Sequence, residues 1–430
     1  MPHPSVEPKT GDPAARALLG GCALAGILLG LALRLTCLLD PGKAFFDAHI
    51  YTAYVKTLAI TGLAGFPELV ADFLRFQASA PGAVAPPTRA LFITCGHLLA
   101  TLGGLAPLDA LRSVAWFFNL ATLPVAFLFL RRAAGAPSAL VATALLSVLP
   151  TQLFMARGAL IDGFFAFWAL CNLWCLWENL QRPRCLPLLL LQTLLGALLV
   201  LTKENSFFVF ATLGALLAAC RWLRFGIVTR ELWASLILAG VVGVCGIVLL
   251  SGGFDRAFEV YRLLVAKAYT LEFAIRTGDG PWFRYPYDLL AVNPATTLLA
   301  IGALFGLRRD NRALWFLTLF VLVSMSVMTC VRFGMNLRYG NMWDAPLCAL
   351  AATQLLRLGT AAPTRLRAPV VAAVFAACLA TSVAISQRLV LHHNIGELVA
   401  EVYLPAFDIL KPSTHTRGAP PSSPSVGNPP

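Results

Sequence analysis

Four short segments of this chain set acids and bases into otherwise apolar surroundings. They are "FFDAHIY" with Asp47, "FMARGALIDGFF" with Arg157 and Asp162, "LTKEN" with Lys203 and Glu204, and "CVRFGMNLRYGNMW" with Arg332, Arg338 and Tyr339. A carboxylate can take the proton of an attacking hydroxyl, and a lysine or arginine can hold a phosphate as it leaves. The assortment suits transfer of a group carried on an anionic lipid. A lysine about 4 Å from a phosphate oxygen gains of order 4 kcal/mol at an effective dielectric near 20, before desolvation is counted. One charge at a helix end is ordinarily solvated or snorkelling. Four such segments together point to a polar cavity, because a charge in the membrane core costs about 2.5 to 3.5 kcal/mol on insertion scales.

The elements that must position these residues are membrane helices. The 430 residues are 58% hydrophobic and only 13% charged, with a mean hydropathy of +0.75, which describes an all-α polytopic membrane protein and no soluble chain. The formal charge of +12 is carried by scattered basic pairs between apolar runs. It forms no face or tail that would bind nucleic acid. The run from Ala17 to Leu39 follows Arg16 and lacks a small-residue cleavage pattern, so it reads as an uncleaved first span. The eleven cysteines lie mostly inside apolar runs and behave as small hydrophobes, including the Cys171 and Cys175 pair one helical turn apart.

About eleven runs are long enough to span: 17–39, 110–130, 137–154, 163–179, 185–201, 204–220, 232–250, 290–307, 312–330, 344–358 and 368–386. The apolar stretch around "LTKEN" runs from Leu186 to Ala219. As one helix it would reach roughly 50 Å, against a hydrocarbon core of about 30 Å, so it must turn at Lys203. A twelfth segment at 88–104, "TRALFITCGHLLATLGG", is short and carries His97. The arginine and lysine bias decides its place. If it lies along the outer face without crossing, the clusters at Arg131 and Arg132, Arg182 and Arg184, Arg221 to Arg230, Arg308 to Arg312 and Arg357 to Arg367 all fall in cytoplasmic loops.

On that map residues 1–16 are cytoplasmic and 17–386 form the multi-span catalytic domain, with long extracytoplasmic loops at 40–107 and 251–289. The first loop has apolar residues at helical spacing and interfacial aromatics, the pattern of amphipathic juxtamembrane helices. Residues 387–430 form an outer tail, disordered after about 411 where proline and serine dominate. All four polar segments then lie at the extracytoplasmic ends of helices.

The first-loop acid, the aspartate of "ARGALID", the "LTKEN" turn and the late "RY", in this order, resemble the lipid-dependent glycosyltransferases of the GT-C fold. These include the family 39 protein O-mannosyltransferases and the aminoarabinose transferase of lipid A. The resemblance covers about residues 17–360 through motif order and helix spacing. It implies a polyprenyl-phosphate-linked sugar donor, a lipid, glycan or protein acceptor, and an extracytoplasmic site, with a bacterial inner membrane as the setting. It also implies that Asp47 is the catalytic base, Asp162 the second conserved acid and Lys203 the lysine at the lipid phosphate. Arg338 and Tyr339 match a late arginine-aromatic element of the donor site. Arg157 and Glu204 join the donor-binding candidates, and His49, Tyr51, Arg89, Trp282 and Tyr285 are candidates for the acceptor or donor groove.

Ala48 stands where many relatives carry a glutamate after the first aspartate, which leaves that glutamate's role unfilled. His49 and His97 lack a third ligand at useful spacing, so the sequence supports no metal cofactor. Trp282, Tyr285 and Tyr287 fit a sugar platform or an interfacial belt. The expected reaction is a single displacement with inversion, Asp47 deprotonating the acceptor and Lys203, with Arg157 or Arg338, balancing the departing phosphate. The alternatives are a transporter, which would call for an internal repeat and charges at mid-membrane, or a catalytically inactive relative that binds lipid.

Overall fold

Proline and glycine divide the apolar sequence into helices, and among the described residues no strand interrupts them. The computed structural model describes residues 13–393, apart from 43, 80–84, 272–274, 276, 279 and 332–334. Most of the expected outer tail, the first twelve residues and Arg332 therefore lie outside the described residues.

The first span is α1 (Pro13–Leu39). Two helices follow in the expected first loop, α2 (Phe46–Thr61) and α3 (Phe66–Ser79). Gly62, at φ 67°, makes the turn that folds the second back on the first at 118°. Helix α4 (Ala90–Gly103) corresponds to the segment at 88–104. Its 14 residues reach only about 21 Å at 1.5 Å per residue, short of a hydrocarbon core.

Then come α5 (Pro107–Ala134), α6 (Ala136–Val148), α7 (Pro150–Arg157), α8 (Ile161–Gln181), α9 (Leu186–Thr202), α10 (Ser206–Leu223), α11 (Arg230–Ser251) and α12 (Phe254–Thr270). Pro150 supplies no backbone N–H to continue α6, and the chain bends by 53° into α7. The remainder is α13 (Arg284–Val292), α14 (Pro294–Leu304), α15 (Arg312–Thr329), a 3₁₀ turn at Leu337–Trp343, α16 (Asp344–Ala361), α17 (Arg367–Ile385) and a π-helical turn at Ser386–His392. That last turn occupies positions read from sequence as the start of the tail.

Every one of the eleven runs forms helix, but the count of eleven spans is not confirmed. Among the described residues six helices are long and apolar enough to cross: α1, α5, α10, α11, α15 and α17. The number rises to eight if the bent pairs α2 with α3 and α6 with α7 each count as one span. Helices α9 and α14 are short, at 17 and 11 residues. Helices α8 and α16 carry more polar side chains, such as Asn172 and Glu178 in one and Gln354 and Arg357 in the other.

Small residues let these helices approach closely where lipid offers no hydrophobic drive for association. A Cβ on Gly30 of α1 would stand 2.5 Å from Ser147 of α6, and Ser147 Oγ donates to the Gly26 carbonyl at 3.0 Å. Between α9 and α11, a Cβ on Gly196 would meet Ala239 at 2.6 Å and one on Gly243 would meet Val200 at 2.5 Å.

The two ends of the bundle carry different ions. Arg132, at the end of α5, makes paired 3.0 Å bonds to Glu178 near the end of α8, and Gln181 donates to the Phe225 carbonyl at 2.7 Å. Asp162 lies at the other end of α8, about 24 Å from Glu178 by helical rise.

Gly30→Val should force α1 from α6 at an overpacking cost of about 1–3 kcal/mol and lower the melting temperature of the purified protein by several degrees. Gly240→Val, in α11 where an added Cβ meets nothing within 4 Å, should leave it nearly unchanged. Equal melting of the two variants would contradict the packing.

Candidate active site

Helix ends deliver the site's side chains. Asp47 sits in the first turn of α2, with Phe45 as an extended N-cap. Asp162 sits in the first turn of α8 after the extended residue Leu160. A carboxylate is favoured at either place by the positive end of a helix. Lys203 caps α9 in an extended conformation, so its side chain leaves the helix sideways, and Asn205 opens α10. The expected turn at "LTKEN" is therefore present.

These elements bring the acids and bases into one cluster. Lys203 Nζ donates to Asp162 Oδ1, with both side chains at most 4% exposed. The other Asp162 oxygen lies 3.9 Å from Arg338 Nε, and the same guanidinium reaches Asp47 Oδ2 at 3.6 Å. Arg338 thus stands between the two aspartates. The Lys203 ammonium also lies over the Tyr339 ring, 4.0 Å from its centre, a cation–π contact worth more where water is excluded. Burial lowers the pKa of Lys203, while Asp162 beside it works in the opposite direction.

Glu204, next in the chain, turns away from Lys203's partner and takes Arg89 in a two-pronged pair. Arg89 Nε donates at 3.1 Å and its terminal nitrogen donates to the second oxygen. Burial works to raise the Glu204 pKa, but Arg89 holds it below the usual carboxylate value. Arg89 also donates to the Tyr51 hydroxyl at 2.6 Å. From sequence Glu204 could pair with Lys203 or Arg157 or simply favour the positive end of the next helix; its partner is Arg89, delivered by the start of α4. Three carboxylates, Asp47, Asp162 and Glu204, thus meet three cations, Lys203, Arg338 and Arg89. Asp47 is the more open of the two aspartates, with 26% of its side chain exposed.

Of the other candidates, Tyr285 lies close enough to Tyr339 and Asp162 to feel their charges, whereas Arg157 is engaged elsewhere. Arg157, 5% exposed, bonds Asp40 at 3.2 Å and the Val390 and Leu391 carbonyls, pinning the π-helical turn to the end of α1. Trp282 is exposed, and Tyr285 is buried with its ring 4.7 Å from that of Trp343. His49 is exposed on α2, and His97 is buried in α4. Among the described residues no three His, Cys, Asp or Glu side chains gather as metal ligands.

Sequence reading missed a second polar cluster beside the first. Asp344 accepts from Thr151 at 2.7 Å, from Gln152 at 2.9 Å and from Asn341 at 2.8 Å. Asn119 donates to the Gln152 carbonyl at 2.9 Å and accepts from Arg34 Nε at 2.9 Å. Arg34 offered a signal, since an arginine inside the apolar run 17–39 is costly unless it has partners.

Residues 101–260 match the family model of dolichyl-phosphate-mannose-protein mannosyltransferases. No curated protein sequence matches the chain. Among solved structures, ArnT from Cupriavidus metallidurans aligns with a TM-score of 0.55 at 14% identity, over 85% of this chain and 76% of ArnT, both without ligand and bound to undecaprenyl phosphate. The chain has the GT-C fold. The oligosaccharyltransferase AglB from Archaeoglobus fulgidus, in complex with an inhibitory peptide and a dolichol-phosphate, aligns with a TM-score of 0.55 at 11% identity over 85% of this chain. The match spans 55% of AglB's length. The family-model match over residues 101–260 is a likeness to protein mannosyltransferases, and the two solved structures share the fold.

Lys203→Ala would strand a buried Asp162 charge, a change that typically costs about 3–5 kcal/mol. The variant should melt well below wild type, and the double variant Lys203→Met, Asp162→Leu should recover most of that loss. Thermal unfolding in detergent measures both. A single variant as stable as wild type would contradict the pairing.

Proposed function

We propose that the chain transfers a sugar from a polyprenyl-phosphate-linked donor to an acceptor hydroxyl on the extracytoplasmic face of a membrane, with inversion at the anomeric carbon. The observation that carries this reading is the placement of Arg338, which reaches the partly open Asp47 and the buried Asp162–Lys203 pair at once. A proton acceptor and two cations thereby share one site, as displacement of a phosphate leaving group demands.

Asp47 takes the proton of the acceptor hydroxyl as its oxygen bonds to the anomeric carbon. The bond from that carbon to the phosphate oxygen breaks, and the electron pair leaves with the lipid phosphate. Lys203 and Arg338 balance the charge that collects there. Asp162 fixes Lys203 and, with Asp47, holds Arg338. The Arg89–Glu204 pair and Tyr51 border the same site and shape its donor side. Arg157, bonded to Asp40 and the π-helical turn, has no part in the step. ArnT bound to undecaprenyl phosphate and AglB with a dolichol-phosphate are likenesses that support a lipid-phosphate carrier. The acceptor is a lipid, a glycan or a protein, and the setting is a bacterial inner membrane.

Membranes containing the protein should transfer sugar from a polyprenyl-phosphate donor. Asp47→Asn should lower the rate by about 10²-fold or more, the usual contribution of a general base. Nuclear magnetic resonance of the product should show the opposite anomer to the donor. Wild-type activity in Asp47→Asn, or retention of configuration, would overturn the mechanism.

A further inference from the structure

The geometry points to Asp344 as the positioning residue that holds the Arg338–Tyr339 turn in register with the two aspartates. The inference rests on the sugar-transfer reading above for its meaning, while the exchange arm of its test stands apart from that reading.

Arg338 and Tyr339 lie on the 3₁₀ turn Leu337–Trp343, a short segment whose own hydrogen bonds cannot set where it points. Three hydrogen bonds among the described residues help tie it down. The Arg338 backbone N–H donates to the Asn336 side chain at 3.0 Å. Trp343 is fully buried and donates from its indole to Ser324 Oγ at 2.7 Å. Asn341 donates to Asp344 Oδ2 at 2.8 Å.

The third anchor joins the turn to a different part of the fold. The same Asp344 oxygen accepts from Thr151 and Gln152 of α7, at 2.7 and 2.9 Å. Helix α7 leads through Arg157 into the start of α8, where Asp162 stands. One carboxylate oxygen therefore links the turn bearing Arg338 with the helix that runs up to Asp162. Asn119 and Arg34 extend the link into α5 and α1.

The chemistry of this oxygen says what it is for. Asp344 is 1% exposed, and its three donors are neutral, one hydroxyl and two amides. A single oxygen that accepts three bonds is a junction, and an asparagine carbonyl can accept the same three. The negative charge is therefore dispensable while the acceptor is not. A residue that served the site through its charge would demand the reverse.

Hydrogen–deuterium exchange and sugar transfer, measured on the purified full-length protein, test this. Asp344→Ala should speed amide exchange across residues 337–343 at least tenfold and lower kcat/KM at least tenfold, with exchange in the 202–206 turn as in wild type. Asp344→Asn should restore both within threefold. If Asp344→Ala fails to accumulate, Asn341→Ala cuts the same link from the turn's side and carries the same expectation. Unchanged exchange across 337–343 in the alanine variant, or an asparagine variant as impaired as alanine, would overturn the role. If the wild-type protein transfers no sugar from any polyprenyl-phosphate donor, the function reading fails, and the exchange data still decide whether Asp344 holds the turn.

Discussion

The buried contact between Lys203 and Asp162 constrains everything around it. Neither charge can sit at a few per cent exposure without the other, because removing one partner of a buried pair leaves an uncompensated charge. The pair fixes the turn between α9 and α10 against the start of α8. Once that is set, Arg338 has two acids to bridge and Tyr339 has a cation to lie beneath. An anionic donor entering such a charge-matched cluster must compete with carboxylates for the same cations. Arg338 stands 3.6 and 3.9 Å from its two acids, while Lys203 is in direct contact with Asp162.

Much of this was legible in the sequence because helix ends are written in it. The length of the apolar stretch through "LTKEN" forces a turn at Lys203, and glycine and polar residues around Asp162 and Asp47 mark where helices begin. Which end of each helix a charge occupies follows from such signals. Which way it faces does not, since one residue rotates the direction by about 100° on a helix. Arg157 and Asp162 are close in sequence and share an end of the bundle, but α7 closes before α8 opens, and Arg157 points to the π-helical turn instead. Likewise Glu204 faces Arg89, a partner 115 residues away that no spacing rule could choose.

The span count shows the same limit. Periodicity and hydropathy located a helix at each of the eleven runs, yet among the described residues six are long and apolar enough by themselves. Asn172 of α8 and Asp344 of α16 face protein, where each finds a partner, so hydropathy alone undercounts buried helices. The junction at Asp344 was invisible for a related reason. An aspartate at the start of an apolar run reads as a helix-end acid, and its three donors come from segments up to 193 residues away.

The central claim is that the cluster around Lys203 is a lipid-phosphate site. Competition binding in nanodiscs between undecaprenyl phosphate and undecaprenol tests it most directly, because the two ligands share a tail and differ only at the head. The account predicts that the wild-type protein binds the phosphate at least tenfold more tightly and that Lys203→Met, Asp162→Leu, which removes the buried pair and leaves the Arg338 and Arg89 charges in place, narrows that preference. Equal affinity of the wild-type protein for both lipids would contradict it.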